Sequence, residues 1–232
     1  MSNKEYVVAR YEKQGKKFEI LVDPEKALEY REGKQIDLDE IVQGEFIFRD
    51  VKKGLKASPE ELKTVFGTDD PRTIMSIILR EGEMQLTTEQ RRRLLEAKKK
   101  MIINYIARSA IDPQTKKPIP PTRIEAAMNE ARVSIDLYKR VEEQAMEIVK
   151  AISKILPIKL AKAIIRIHLP RDVASRTVNI ITRLGEVKKK NFYSDGSAEI
   201  EIEIPAGMQG EVLSKISSVT KGEASISIIE VK

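Results

Sequence analysis

The 232-residue sequence predicts a multidomain α+β protein, because the period of its apolar residues changes twice along the chain. Strand and helix signals alternate near the N-terminus, and the middle of the chain is helical throughout. The last 73 residues carry the order β-α-β-β-α-β, which is typical of a ferredoxin-like domain. We therefore expect an N-terminal α+β domain over 1–87, a three-helix bundle over 88–159 and a ferredoxin-like domain over 160–232.

The N-terminal domain is predicted from β-alternation and from strong helix-start signals. Two strands form a hairpin that turns at Gln14-Gly15. An Asp-Pro or Ser-Pro pair opens each helix, because a capping side chain then precedes Pro at the first helical position. The strands are expected at residues 6–10, 17–22, 46–48 and 84–86. The helices are expected to begin at Pro24, Pro59 and Pro71.

The middle region is predicted to contain three amphipathic helices. The first follows a capping box at Thr87–Gln90, the second begins at Pro121, and the third runs from about Lys139 to Pro157. The apolar residues of the third helix are expected to face inward: Val141, Ala145, Ile148, Val149, Ile152 and Ile155.

The C-terminal region returns to strand periodicity. A hairpin is expected to turn at Asp195-Gly196. Glutamates alternate with isoleucines over 199–204, which predicts a sheet with one solvated face and one face covered by helices. The strands are expected at 163–169, 186–193, 198–204 and 223–231, and the helices at 172–184 and 208–219.

The composition argues against an enzyme, a cofactor and a metal centre. There is no Cys and a single His, and neither a dinucleotide fingerprint nor a P-loop occurs. The carboxylate pairs Asp69-Asp70 and Glu60-Glu61 lie at helix starts, where they cap free N–H groups. No apolar run is long enough to span a membrane, and residues 1–6 lack the pattern of a signal peptide. We expect a cytoplasmic protein.

Positive charge is concentrated in the middle of the chain. Formal charges sum to −3 over 1–88, +7 over 89–159 and +2 over 160–232. Such an imbalance indicates an anionic partner, although a solvated helical surface explains it as well. The candidate nucleic-acid contacts in the first two regions are Arg10, Lys13, Lys16, Lys17, Lys52, Lys53, Lys56, Lys98, Lys99, Lys100, Lys116 and Lys117.

The segment 107–118 carries the strongest local signal. Pro113 and Pro118 cannot continue a helix, so Lys116 and Lys117 are expected on a stiff turn between two helices.

Aromatic residues make up only 5% of the chain. Phe46 and Phe48 point the same way on their strand, but alternating burial explains them equally well. Phosphate and shape recognition of folded RNA is therefore expected, rather than reading of a single strand.

Several of these stretches resemble the Shwachman–Bodian–Diamond syndrome (SBDS) family. The match combines a phenylalanine-glycine-threonine motif at Phe66 with the basic proline turn, and it extends over nearly the whole chain. High Lys and Glu content without Cys or Trp suits an archaeal member. The matching segments are 7–10, 15–20, 37–41, 66–70, 82–86, 112–118, 124–128 and 166–170.

The resemblance implies a non-enzymatic ribosome maturation factor. It implies binding to ribosomal RNA of the large ribosomal subunit, with the first domain near the peptidyl-transferase centre and P site. Arg166, in the last matching segment, joins the candidate RNA contacts. The implied partners are an elongation-factor-like GTPase and the anti-association initiation factor 6, which is released so that the subunit can enter translation. A monomer is expected.

Two other functions stay open. A DNA-binding regulator would use the basic helical middle, but a long proline-rich loop replaces the short turn that precedes a recognition helix. An RNA-processing factor would need an acidic site, for which Asp69 and Asp70 are the candidates.

Overall fold

The computed structural model describes residues 5–232, which group into two compact units. The first contains the described residues up to Lys99 together with Ile135–Arg140, and the second contains Lys100–Ser134 and Val141–Lys232. This grouping does not test the three-domain division, which stays a prediction. Residues 1–4 of the segment considered for a signal peptide lie outside the described residues.

The first unit is built on a five-stranded antiparallel sheet with the strand order β4-β3-β2-β1-β5. Gln14 and Gly15 both adopt positive φ, as a two-residue hairpin turn requires, so the predicted turn position is confirmed. The strands are β1 (Val7–Lys13), β2 (Lys16–Val22), β3 (Val42–Asp50), β4 (Leu55–Lys56) and β5 (Glu83–Met84).

Capping side chains begin the helices of this unit at the predicted places. The Asp23 carboxylate accepts from the N–H groups of Glu25 and Lys26, and the Ser58 and Glu61 side chains form a capping box. The helices are α1 (Pro24–Arg31), α2 (Leu38–Ile41), α3 (Pro59–Phe66), α4 (Pro71–Glu81) and α5 (Thr88–Ser109), whose last turns belong to the second unit.

Helices α3 and α4 pack on one face of the sheet and form an apolar core with it. Phe18 and Ile20 of β2 and Ile74 and Ile78 of α4 are all fully buried in this core. Because strand side chains alternate between faces, the intervening residue Glu19 projects to the opposite face.

The Glu19 carboxylate links two hairpins across that opposite face. Glu19 is only 5% exposed. Its Oε1 accepts a hydrogen bond from Arg10 Nε on β1 at 2.9 Å, and its Oε2 accepts one from the Val51 N–H after β3, also at 2.9 Å. The register aligns Arg10, Glu19, Phe48 and Lys56 across four neighbouring strands. One buried charge therefore fixes the β1–β2 turn and the β3–β4 turn at the same end of the sheet.

Two further helices of the predicted helical region belong to the second unit. Helix α6 (Pro121–Glu130) begins at the predicted Pro121, and α7 (Val141–Ile152) is shorter than predicted at both ends. Ile155 was expected to face inward, but it lies beyond the last turn of α7 and is 40% exposed. That expectation was wrong because the helical period stops at Ile152. The two-residue strands β6 (Ala110–Ile111) and β7 (Lys159–Leu160) pair with each other.

The C-terminal part follows the predicted element order. Its strands lie in the order β11-β8-β10-β9, and all neighbours are antiparallel. The bounds are β8 (Lys162–Leu169), α8 (Arg171–Ile181), β9 (Glu186–Phe192), β10 (Ala198–Pro205), a 3₁₀ turn (Ala206–Met208), α9 (Gln209–Val219) and β11 (Ser225–Val231). Both helices pack on the face that carries Ile200, Ile202 and Ile204.

The other face of this sheet carries ion pairs, as the alternation of glutamates and isoleucines indicates. Glu203 accepts from Lys162 at 2.7 Å and lies 3.4 Å from Lys188 and 3.6 Å from Lys232. The hydrogen bond from Lys162, with further support from Lys188, lowers the pKa of Glu203. These acids and bases neutralise one another within the sheet.

We expect Glu19→Ala to destabilise the first unit by about 3 kcal/mol, since it leaves the Arg10 guanidinium and the Val51 N–H without their buried acceptor. Glu19→Gln keeps an acceptor oxygen and should cost less. Hydrogen exchange of the Val51 amide measures the effect, and protection in Glu19→Ala equal to that of the unsubstituted protein would contradict it.

The contribution of the ionised Glu203 to stability should depend on pH and be lost in acid. Because its folded pKa is lowered, its contribution is fully present above the unfolded value of about 4.3 and disappears as the pH falls through the folded pKa. Glu203→Gln should therefore lower the thermal midpoint at pH 7, and the difference should shrink as the pH falls below the unfolded pKa of a glutamate. Glu199→Gln is the control on the same strand and face, and a pH-independent difference for Glu203→Gln would refute the assignment.

Candidate nucleic-acid interface

The segment 112–118 forms a closed turn, which we call the Lys116 turn. The Asp112 N–H donates to the Lys117 carbonyl oxygen at 3.0 Å, and the Lys116 N–H donates to the Asp112 carbonyl oxygen at 2.9 Å. Lys116 adopts a left-handed φ of 59°, and Pro118 is bridged to Ile111. Hydrogen bonds and two prolines thus fix the backbone that carries the two lysines, as the sequence predicts.

The acidic group of this turn is engaged by its own backbone. The Asp112 carboxylate accepts from the N–H groups of Gln114 at 2.8 Å and Thr115 at 3.0 Å. These two backbone hydrogen bonds, together with the nearby Arg123 guanidinium, lower the pKa of Asp112. The carboxylate therefore stays ionised and stabilises the turn instead of pairing with Lys116 or Lys117.

The cations of the Lys116 turn point to solvent. Both Lys116 and Lys117 are exposed, and neither has an ion pair within residues 5–232. Arg123, in the first turn of α6, adds a third exposed cation close to Asp112. Sequence reasoning missed Arg123, although its position two residues after the helix-starting Pro121 was a usable signal.

A second group of cations gathers at one end of the first sheet. The β1–β2 turn carries Lys13, Lys16 and Lys17, and the β3–β4 turn carries Lys52 and Lys53. Since the Glu19 link holds both turns at the same end, these five lysines form one surface, which we call the cationic tip. Only the tertiary register joins the two lysine groups.

Acidic neighbours partly neutralise the cationic tip. Lys16 lies 3.9 Å from Glu61, Lys17 lies 3.5 Å from Glu12, and Lys53 lies 3.8 Å from Asp50. Lys13 and Lys52, by contrast, are exposed and have no ion pair in the described part of the chain. Lys13 and Lys52 are therefore the two lysines of the tip whose charge no ion pair in the described part of the chain neutralises.

Lys56 lies beside the tip on the outer sheet face. Its Nζ lies 3.1 Å from the centroid of the Phe46 ring, and Phe46 is 51% exposed. Ile47, which is 4% exposed, faces the core, so alternation along β3 directs Phe46 to the outer face. Phe48 is half-buried.

Lys98 is a correction to the predicted site. It is 5% exposed and forms an ion pair with the partly buried Glu32, so its ammonium group cannot reach RNA. Consecutive residues on a helix differ by about 100° in direction, and Lys98 lies on the inward side of α5. Lys99 is half-buried and Lys100 is exposed.

Two predicted arginines are engaged in ion pairs on sheet faces. Arg10 binds the buried Glu19 as described above. Arg166 donates from Nε at 2.9 Å and from Nη2 at 2.8 Å to Oε1 of Glu201 on the neighbouring strand, and this contact raises the pKa of Arg166. Both guanidinium groups support the sheet, so less of their charge is available to a polyanion.

Three carboxylates of the two acidic pairs, those of Asp69, Asp70 and Glu61, have structural partners. Asp70 accepts from the Thr73 N–H and hydroxyl, which lowers the pKa of Asp70, and Asp69 lies 3.1 Å from Lys63. Glu61 closes the capping box of α3 and pairs with Arg49. Among residues 5–232, no three His, Asp or Glu side chains converge as metal ligands. No helix in that range is long and apolar enough to cross a bilayer.

Comparisons with protein families cover almost the whole chain. The "Shwachman-Bodian-Diamond syndrome (SBDS) N-terminal domain" matches residues 5–92, "SBDS protein, domain II" matches 100–161, and "SBDS protein, C-terminal domain" matches 163–231.

Individual relatives match over a similar extent. A "Ribosome maturation protein SDO1 homolog" from Aeropyrum pernix is 51% identical over 227 residues, covering 98% of this chain and 97% of the relative. The protein of the same name from Methanothermobacter thermautotrophicus is 41% identical over 231 residues, covering 99% of this chain and all of the relative. "Ribosome maturation protein SBDS" from Dictyostelium discoideum is 33% identical over 226 residues, covering 96% of this chain and 82% of the relative. The chain therefore belongs to the SBDS family, with archaeal proteins among its relatives.

Proposed function

We propose that this protein is a non-enzymatic ribosome maturation factor that binds ribosomal RNA of the large subunit. The observation that carries the proposal is the Lys116 turn, where two exposed ammonium groups lie on a fixed backbone and the Asp112 carboxylate is bound internally. Such a turn loses little conformational entropy when it meets a phosphate backbone. The names of the relatives supply the ribosomal context.

The cationic tip is proposed as a second RNA contact. Lys13 and Lys52 have free charge, whereas the carboxylates nearby are committed to other lysines. Mixed charge around a few free cations favours docking in one orientation over non-specific adhesion. We propose that the tip binds phosphates of folded RNA in this way.

The remaining partners are proposed from family membership alone. We propose that the protein cooperates with an elongation-factor-like GTPase to release the anti-association initiation factor 6, and that it acts in the cytoplasm as a monomer. The large subunit then becomes competent for translation.

We also propose a three-domain organisation for this function. The family models end and begin near the predicted junctions, at 92/100 and 161/163. A three-helix bundle over 88–159 is consistent with helices α5, α6 and α7. A ferredoxin-like domain over 160–232 is consistent with the strand order β11-β8-β10-β9.

The first test reverses the charge of the Lys116 turn. Lys116→Glu/Lys117→Glu should reduce the affinity for purified large subunits at least about 10-fold, because two phosphate contacts are lost. For the same reason, the slope of log affinity against log salt concentration should become about 1.5 less steep. Lys150→Glu/Lys154→Glu changes two exposed lysines of the same unit and is the matched control. Unaltered co-sedimentation and an unaltered salt slope in the first variant would remove the proposal.

The second test separates free from neutralised lysines within the cationic tip. Lys13→Ala/Lys52→Ala should weaken subunit binding several-fold more than Lys17→Ala/Lys53→Ala, because the latter two cations are already paired with Glu12 and Asp50. Both variants remove the same charge from the same two turns. Filter binding at two salt concentrations measures the difference, and equal losses would show that the ion pairs do not control binding.

A further inference from the structure

Phe46 is a large apolar residue whose side chain is exposed on the outer face of the first sheet. It lies on the outer face of β3, and half of its surface is accessible, although Ile47 beside it is buried in the core. Leu55 on the adjacent strand β4 is also exposed. Large apolar side chains at a sheet edge favour aggregation unless a partner or a charge covers them.

An exposed cation lies over the Phe46 ring. The Lys56 ammonium group lies 3.1 Å from the ring centroid, and Lys56 has no carboxylate partner within residues 5–232. A cation–π contact at an exposed site contributes little, so the long lysine side chain can leave the ring at small cost. The face of Phe46 is then open to a flat ligand.

The charges near this ring favour a nucleic acid as that ligand. Lys52 and Lys53 follow in the β3–β4 turn, Asp50 is engaged by Lys53, and Glu19 is buried between Arg10 and Val51. The exposed Glu45 immediately precedes Phe46, so an anionic ligand would approach from the Lys56 side. One unpaired ammonium group, that of Lys56, lies over the ring, and a second, that of Lys52, lies in the following turn. An aromatic ring beside such cations can bind a base by stacking and its phosphate by charge.

We propose that Phe46 stacks on an unpaired base of ribosomal RNA, while Lys56 moves from the ring to the adjoining phosphate. This inference rests on the proposed function and specifies the RNA element that the first unit contacts, namely an exposed single-stranded nucleotide beside folded RNA. It revises the expectation, drawn from the low aromatic content, that the protein reads no single strand.

The protein contains no Trp, so Phe46→Trp introduces a unique fluorescent reporter at the ring. Titration with a single-stranded RNA decamer should quench this fluorescence, since an indole also stacks on bases. Phe46→Leu should bind the same decamer about 5- to 100-fold more weakly than the unsubstituted protein, because one stacked base is lost. Affinities for an abasic decamer and for a duplex of the same sequence should change less than about twofold.

Phe192→Leu is the matched control. Phe192 is another exposed phenylalanine, 65% accessible, with the Lys190 ammonium group 5.0 Å from its ring centroid, and it belongs to the second unit. Its substitution should leave decamer binding unchanged. Equal losses in Phe46→Leu and Phe192→Leu would overturn the proposal, because any exposed ring would then serve.

Other outcomes distinguish this inference from the proposed function. If Phe46→Leu binds the decamer as well as the unsubstituted protein does, stacking is wrong, and binding of the unsubstituted protein to large subunits still supports the maturation role. If Phe46→Leu loses affinity for large subunits but not for the decamer, the ring contacts a ribosomal protein and base stacking is again excluded. If the unsubstituted protein binds neither RNA nor subunits, both proposals fail. Unchanged thermal midpoints of the variants exclude unfolding as the cause.

Discussion

The buried Glu19 carboxylate is the constraint on which the candidate interface of the first unit depends. A charge that is 5% exposed must be paired and hydrogen-bonded, since an unpaired buried charge is costly. Arg10 supplies the opposite charge and the Val51 N–H supplies the second donor. Neither hairpin can slip along the sheet without breaking one of these contacts. The lysines of two turns that are 35 or more residues apart in sequence are therefore held as one surface.

Which cations can bind an anionic partner depends more on how the charges are paired than on the net charge of +6. On the C-terminal sheet, Glu203 and Glu201 bind lysine and arginine side chains from neighbouring strands, so that face is internally neutralised. At the Lys116 turn the opposite holds, because backbone N–H groups satisfy Asp112 and leave the lysines free. The same residue types thus stabilise one sheet and, in the proposed function, bind a polyanion elsewhere.

The two proposed kinds of contact differ in rigidity. Pro113, Pro118 and internal hydrogen bonds fix the Lys116 turn, so the backbone that carries its two lysines is preorganised. The contact of Lys56 with Phe46 is held only by an exposed cation–π interaction, which a stacked base can replace. A phosphate contact benefits from a fixed backbone, whereas an aromatic platform needs a face that can be uncovered.

The sequence by itself determined the local elements and the Lys116 turn. Capping residues before Pro24, Pro59 and Pro71, the alternation of Glu and Ile in β10, and the two prolines of the turn act over a few residues, so their signals are readable without the fold. Tertiary structure alone decided which cations are available. It buried Lys98 against Glu32, engaged Arg10 and Arg166 in ion pairs, and left Phe46 exposed. Each of these outcomes depends on residues distant in sequence, because burial and ion pairing are set by strand register and helix packing rather than by local composition.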